Sequence, residues 1–384
     1  MLTPGGQRPT LSDYQNTVGQ LHRFAQDPRL TRATPRRGAD GQPGANGGSF
    51  GAVYRLDDPD DNRSWALKCF LRDEPDRRHR YEQISACLSS VRAPWHAEVH
   101  YLERGLYVGG NWWPVVLMEW IPGQRITGWI DRLIDENPAD LASQFTRAAR
   151  KFAAAVYQMH RCGISHGDLQ SGNVLVLPNG AIRFVDYDAM TVPTYSCLPR
   201  REDGHPDFRL PRRDEWGVDD GTSTHIRGSA VHISTFITDS TTMSVNLPPQ
   251  DGTAAMHRDR FPSQVIHSAL VMLSEAPELW TELHRPGADH LLLSRRDFRN
   301  PVASERWERL LKHPRPRVRD TANRLHGMLG SMADALPDRG GNTPRVRARA
   351  GMAARASPAR QPTARSGTRR PGSGPTSALS RPQP

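Results

Sequence analysis

His166-Gly167-Asp168-Leu169-Gln170-Ser171-Gly172-Asn173 (HGDLQSGN) lies near the middle of a chain of 384 residues. Its glycines and short polar residues disfavour the interior of a helix or a strand, so the stretch reads as a loop. It sets one aspartate and one asparagine five positions apart. Upstream, Leu141, Phe145, Ala148, Phe152, Val156 and Met159 recur at helical spacing and mark the buried face of a long helix beginning after Asn137-Pro138. Downstream, NVLVLPNGAIRFVD (173–186) reads as a hairpin turning at Asn179-Gly180, a pair suited to tight β-turns. The loop and the hairpin together deliver Asp168, Asn173 and Asp186 to one place.

Further outward, the chain changes character twice. SFGAVYRL and SWALKCF (49–70) read as two strands joined by the turn DDPDDNR. A helix is expected over 77–89, then strands in HAEVHYLERGLYV and NWWPVVLMEWI, with Gly109-Gly110-Asn111 turning between them. After Pro122-Gly123 helices dominate, including an apolar and therefore central one over 262–273. Leu11, Tyr14, Val18, Leu21 and Phe24 predict an amphipathic helix over 11–24. The expected organisation is an N-terminal helix and loop (1–45), a strand-rich part (46–122), a helical part (123–337) and a tail (338–384). Residues 214–256, rich in Ser, Thr, Gly and Asp, read as a surface insertion within the helical part.

The net charge of +10 suggests nucleic acid until it is located. Residues 338–384 hold ten arginines against one aspartate, a net of +9. The folded body is therefore close to neutral, and only the tail, which has no aromatic residue to stack on bases, could hold an anionic partner. The tail's composition predicts disorder. Lysine occurs only as Lys68, Lys151 and Lys312. Cys69, Cys87, Cys162 and Cys197 have neither metal-ligand spacing nor a disulfide framework. No apolar run reaches the roughly 18–20 residues of a membrane helix, and the first residues lack a signal-peptide core. A cytoplasmic protein without a membrane partner is expected.

Phosphoryl transfer from ATP requires a backbone lid over the phosphates, a cation on them, metal-binding groups and a group that orients the acceptor hydroxyl. Asn46 to Val53 supply a candidate lid, with Gly48, Phe50 and Gly51 at its tip and Val53 behind it. Lys68 follows in the next strand, where an apolar setting demands a partner; Glu82 on the following helix is the expected one. Asp168 would orient the acceptor, and Asn173 and Asp186 would bind magnesium.

With DYQNTV (13–18), RYEQIS (80–85), VDYDAMTVP (185–193), GHPDFRLP (204–211) and DRFPSQVI (259–266) added, the chain resembles a group of bacterial serine/threonine protein kinase-like proteins. The resemblance runs from about Ser49 to Leu329. It implies an α+β, two-lobed protein kinase-like fold, with a small β-rich N-lobe and a larger helical C-lobe. It implies Met118 as gatekeeper, backbone hydrogen bonds to adenine from Glu119 and Ile121, and Val53 and Ala66 covering the ring. It also implies that Asp259 is a buried aspartate holding the catalytic loop. The activity implied is ATP- and magnesium-dependent transfer to serine or threonine hydroxyls of a protein. The pattern departs from the family in HGD for HRD, Gln170 for a lysine, DYD for DFG, and the lack of an APE motif. These departures sustain two rivals: a catalytically weak or inactive nucleotide sensor or scaffold, and a small-molecule kinase.

Overall fold

The computed structural model describes residues 8–47, 51–73, 76–194, 204–211 and 256–335. Gly48 and Phe50, expected at the lid tip, residues 214–255 of the expected insertion, and the tail lie outside the described residues.

Helix α1 (Leu11–Val18) starts at a capping box, in which Thr10 and Asp13 bond each other's backbone N–H. The single helix expected over 11–24 is broken after Val18, so α2 (Leu21–Phe24) and α3 (Pro28–Arg32) follow as separate short turns. Strands β1 (Thr34–Pro35), β2 (Ala45–Gly47), β3 (Gly51–Asp58) and β4 (Arg63–Phe70) lead into helix α4 (Arg77–Ser90). Then come β5 (Val99–Val108) and β6 (Asn111–Glu119). These strands form one antiparallel sheet, ordered β1-β3-β4-β6-β5 with β2 beside β3.

The alternation of β-strands gives this sheet two different faces. Ala52, Tyr54, Leu56, Trp65, Leu67 and Cys69 point outward, where Tyr14, Val18, Leu21 and Leu30 of the N-terminal helices bury them in a core of their own. Tyr14 also donates its hydroxyl to the carbonyl of Phe70 at 3.3 Å. The opposite face carries Val53, Ala66 and Lys68, which are only half-buried because they border the cleft. Register sets Val53 across from Lys68 and Ala66 across from Met118.

Beyond Glu119 the chain forms β7 (Gln124–Arg125), α5 (Ile126–Glu136) and α6 (Leu141–Arg161). Gly163, at φ +70°, turns the chain out of α6. Strands β8 (Val174–Val176) and β9 (Ile182–Phe184) make a second small sheet with β7, and Gly180 takes φ +71° in their turn. Helix α7 (Met256–Glu275) packs along α6 and buries Val265, Ile266, Ala269, Leu270 and Leu273. The shorter α8 (Leu279–Leu283), α9 (Arg295–Arg299) and α10 (Glu305–Leu311) lead to α11 (Pro316–Ala335), which packs on α7. A β-rich lobe and a helical lobe are thus joined at Trp120–Gly123, an α+β protein kinase-like architecture. Among the described residues no helix is long and apolar enough to cross a membrane.

Candidate active site

The HGDLQSGN loop is held from below by one carboxylate. Asp259, fully buried in the first turns of α7, accepts the backbone N–H of His166 and of Gly167, each at 2.7 Å. It also meets His160 Nε2 at 3.2 Å. Burial alone would raise the pKa of Asp259; the His160 contacts and the backbone N–H of Gly167 outweigh it and hold the carboxyl below its usual range. Gly167 sits at φ +80°, a conformation that an L side chain adopts at a cost. The sequence presented this glycine as a missing arginine; the loop uses it as a turn whose N–H reaches Asp259. His166 Nε2 lies 3.0 Å from the carbonyl of Val185, tying the loop to the segment that carries Asp186.

Asp168 emerges with both carboxylate oxygens engaged. Oδ1 accepts the backbone N–H of His205 at 2.9 Å, and Oδ2 accepts from Gln170 Nε2 and Asn173 Nδ2, both at 3.2 Å. The Asn173 amide donates also to the Asp168 carbonyl at 2.9 Å, which leaves its Oδ1 as an acceptor facing elsewhere. Gln170, where the family pattern has a lysine, therefore bonds the Asp168 carboxylate directly. The GHPDF segment closes over the loop: Phe208 is buried in the core, and Asp207 accepts the N–H of Arg295 at 2.6 Å.

Asp186 follows β9 at φ +64°, a strained value for a residue with a side chain. Tyr187 is fully buried behind it, its hydroxyl donating to the Phe184 carbonyl at 2.8 Å and accepting the N–H of Ala97 at 2.7 Å. This clamp fixes the direction of the Asp186 and Asp188 side chains on either side of it. Lys68 donates to both, at 2.8 Å to Asp186 Oδ1 and 2.6 Å to Asp188 Oδ2. Burial would lower the pKa of Lys68, but the two carboxylates reverse this and hold it well above the ordinary lysine range.

The expected Lys68–Glu82 pair does not form. Glu82 points outward on α4 and pairs with Arg78 at 2.8 Å. The residue that faces the cleft is its neighbour Tyr81, 1% exposed, whose hydroxyl bonds Asp188. The cause is the stripe Tyr81, Ile84 and Leu88, all buried against the core, which fixes the rotation of α4. With about 100° per residue, burying Tyr81 turns Glu82 away. The stripe was readable in the sequence as the spacing i, i+3, i+7.

At the junction of the lobes, Met118 and Ile121 are buried, and Ala66 and Val53 line the cleft face of the sheet. The N–H of Glu119 is taken by the carbonyl of Glu98, and the carbonyl of Ile121 by the N–H of Gly123, both at 2.8 Å. The Glu119 side chain pairs with Arg183 at 2.7 Å. Gly51 passes so close to β4 that a Cβ there would lie 2.9 Å from the Cys69 carbonyl. Among the described residues no group of three or more His, Cys, Asp and Glu side chains forms a metal site of its own.

The family model described as the protein kinase domain matches residues 46–212. The chain is 22% identical to serine/threonine-protein kinase CBK1 of Yarrowia lipolytica over 148 residues, which covers 38% of this chain and 24% of that protein. It is 25% identical to the EKC/KEOPS complex subunit BUD32 of Chaetomium globosum over 132 residues, covering 29% of this chain and 48% of that subunit. The chain thus spans less than half the length of either relative. Over residues 46–212 the chain is thus similar to the protein kinase domain, and its fold is protein kinase-like.

Proposed function

We propose that the chain is an ATP- and magnesium-dependent phosphotransferase acting on serine or threonine hydroxyls of a protein. The observation that carries this reading is that Lys68 meets Asp186, Asn173 meets Asp168, and the N–H of Val185 joins the two pairs by bonding the Asn173 carbonyl. Asp168 orients the acceptor hydroxyl, using the carboxylate that three donors already hold in place. Lys68 holds the α- and β-phosphates. Asn173 Oδ1 and the Asp186 carboxylate are hard oxygen donors of the kind that suit magnesium, with phosphate oxygens and water completing its shell. Bound there, the ion supplies charge neutralisation on the phosphates. Adenine would sit between Val53, Ala66 and Met118, using the carbonyl of Glu119 and the N–H of Ile121.

The test is incubation of the full chain with γ-labelled ATP and magnesium beside Asp168→Asn and Lys68→Ala. Label in the wild type alone, recovered as phosphoserine or phosphothreonine, is the expected result. Asp168→Asn should cost turnover a factor of about 10²–10⁴ and change nucleotide affinity little. Nucleotide binding with no transfer would replace the proposal by a sensor or scaffold. Turnover that appears only with a small alcohol or sugar would replace it by a small-molecule kinase.

A further inference from the structure

Lys68 has two carboxylate partners, and they are not equivalent. The Asp186 side chain is 46% exposed and its backbone is strained. The Asp188 side chain is 20% exposed and anchored three ways: Lys68 on Oδ2, the Tyr81 hydroxyl on Oδ1, and Arg80 Nη1 on its carbonyl at 2.8 Å. Tyr81 is itself fixed, packed between Phe70 and Tyr101 at ring distances of 6.1 and 6.2 Å.

We propose that Asp188, held by Tyr81, is the positioning residue for Lys68 and takes the part that the α4 glutamate was expected to play. The proposal deepens the phosphotransfer reading and rests on it. Two carboxylates permit a division of labour that one does not. When a metal and nucleotide arrive, Asp186 can leave Lys68 for the ion while Asp188 keeps the ammonium in place. The alternative, a rotation of α4 that brings Glu82 inward, would carry Tyr81, Ile84 and Leu88 out of the core. The third position of DYD, where the family pattern has glycine, is thus a side chain with a task.

The chain's three lysines make the test direct. The full-length protein, without nucleotide, is treated at about pH 9 with limiting acetic anhydride. Peptide mass spectrometry then gives the acetylation rate of Lys68 relative to Lys151 and Lys312. Replacing the Asp188 carboxylate weakens one of the two bonds that sequester the amine. Asp188→Asn should therefore raise the Lys68 ratio by about 10- to 100-fold, the loss of one charge-assisted hydrogen bond to the amine. Tyr81→Phe should raise it less, and Glu82→Gln should leave it unmoved. Magnesium and a non-hydrolysable ATP analogue should bind more weakly to Asp188→Asn than to Glu82→Gln. An increase in Lys68 acetylation in Glu82→Gln equal to or above that in Asp188→Asn would overturn the proposal. So would an unchanged ratio in a folded Asp188→Asn. Should Asp188→Asn fail to fold, Tyr81→Phe and Glu82→Gln decide by the same comparison. The acetylation ratio reads the pairing itself, so failure of the phosphotransfer reading shows separately, as a wild-type chain that never transfers label.

Discussion

Replacing Asp259 by asparagine removes one charge and about one acceptor from a place with no access to water. Two backbone donors, the N–H groups of His166 and Gly167, point at its carboxylate at 2.7 Å each, and His160 lies at 3.2 Å. An asparagine oxygen can serve one of the backbone donors; its NH₂ then confronts the other. A buried donor left unpaired costs about 1–3 kcal/mol, and bonds to a charged acceptor are worth about 1.5–3 kcal/mol each. The sum is roughly 3–5 kcal/mol, the range found when one member of a buried charged pair is removed. Against a typical stability of about 5–15 kcal/mol this is a large share. Urea unfolding followed by tryptophan fluorescence should show the midpoint falling with the slope unchanged. Acid dependence gives a second reading. The carboxyl of Asp259 is held below its unfolded value, so its contribution is present above that value and is lost as pH falls through the folded one. The acid limb should be flatter in Asp259→Asn. A loss below about 1 kcal/mol, with the acid limb unaltered, would refute the account of the loop as hung from this carboxylate.

Tyr187→Phe should cost about 1–3 kcal/mol, because it removes the buried hydroxyl that links the N–H of Ala97 to the carbonyl of Phe184; thermal unfolding checks it. Burial, aided by Arg324 and Arg317, pushes the pKa of His267 down from 6.5 to about 4. The unfolded chain therefore takes up a proton that the folded one refuses. Stability should fall by roughly 3 kcal/mol as pH drops from 6.5 to 4, and His267→Gln should remove that slope in pH-dependent urea titrations. Gly167→Ala, forced to φ +80°, should destabilise by about 1–2 kcal/mol and lower turnover; full activity with unchanged stability would remove the backbone role assigned to this glycine.

Much of the architecture was legible because strands and helices write their partners into periodicity. The α6 stripe, the Asn179-Gly180 turn and the two hairpins of the small lobe appear at their expected places, with ends moved by a few residues. The break between α1 and α2 was not legible, since the apolar spacing runs through it without interruption. At the site, spacing located the loop and the two magnesium candidates but could not say which way α4 is turned. Adjacent residues on a helix face different directions, and only the packing of Tyr81, Ile84 and Leu88 decides between Tyr81 and Glu82. Asp188 went unread for a related reason. Set against a family pattern it registered as a glycine lost, while its partners lie more than a hundred residues away in Lys68 and Tyr81.

The core sealed between the N-terminal helices and the outer face of the sheet separates what can be recognised from what can fold. The match to the protein kinase domain begins at residue 46 and ends at residue 212. Tyr14, Val18, Leu21 and Leu30 lie before that stretch, and Asp259 lies after it. A gene fragment cut at the borders of similarity would inherit every chemical group of the cleft. It would expose Tyr54, Leu56, Trp65 and Leu67 to water and leave the His166–Asn173 loop without its anchor. Such a fragment is expected to aggregate. The unit that folds is therefore longer, at both ends, than the stretch that matches the protein kinase domain.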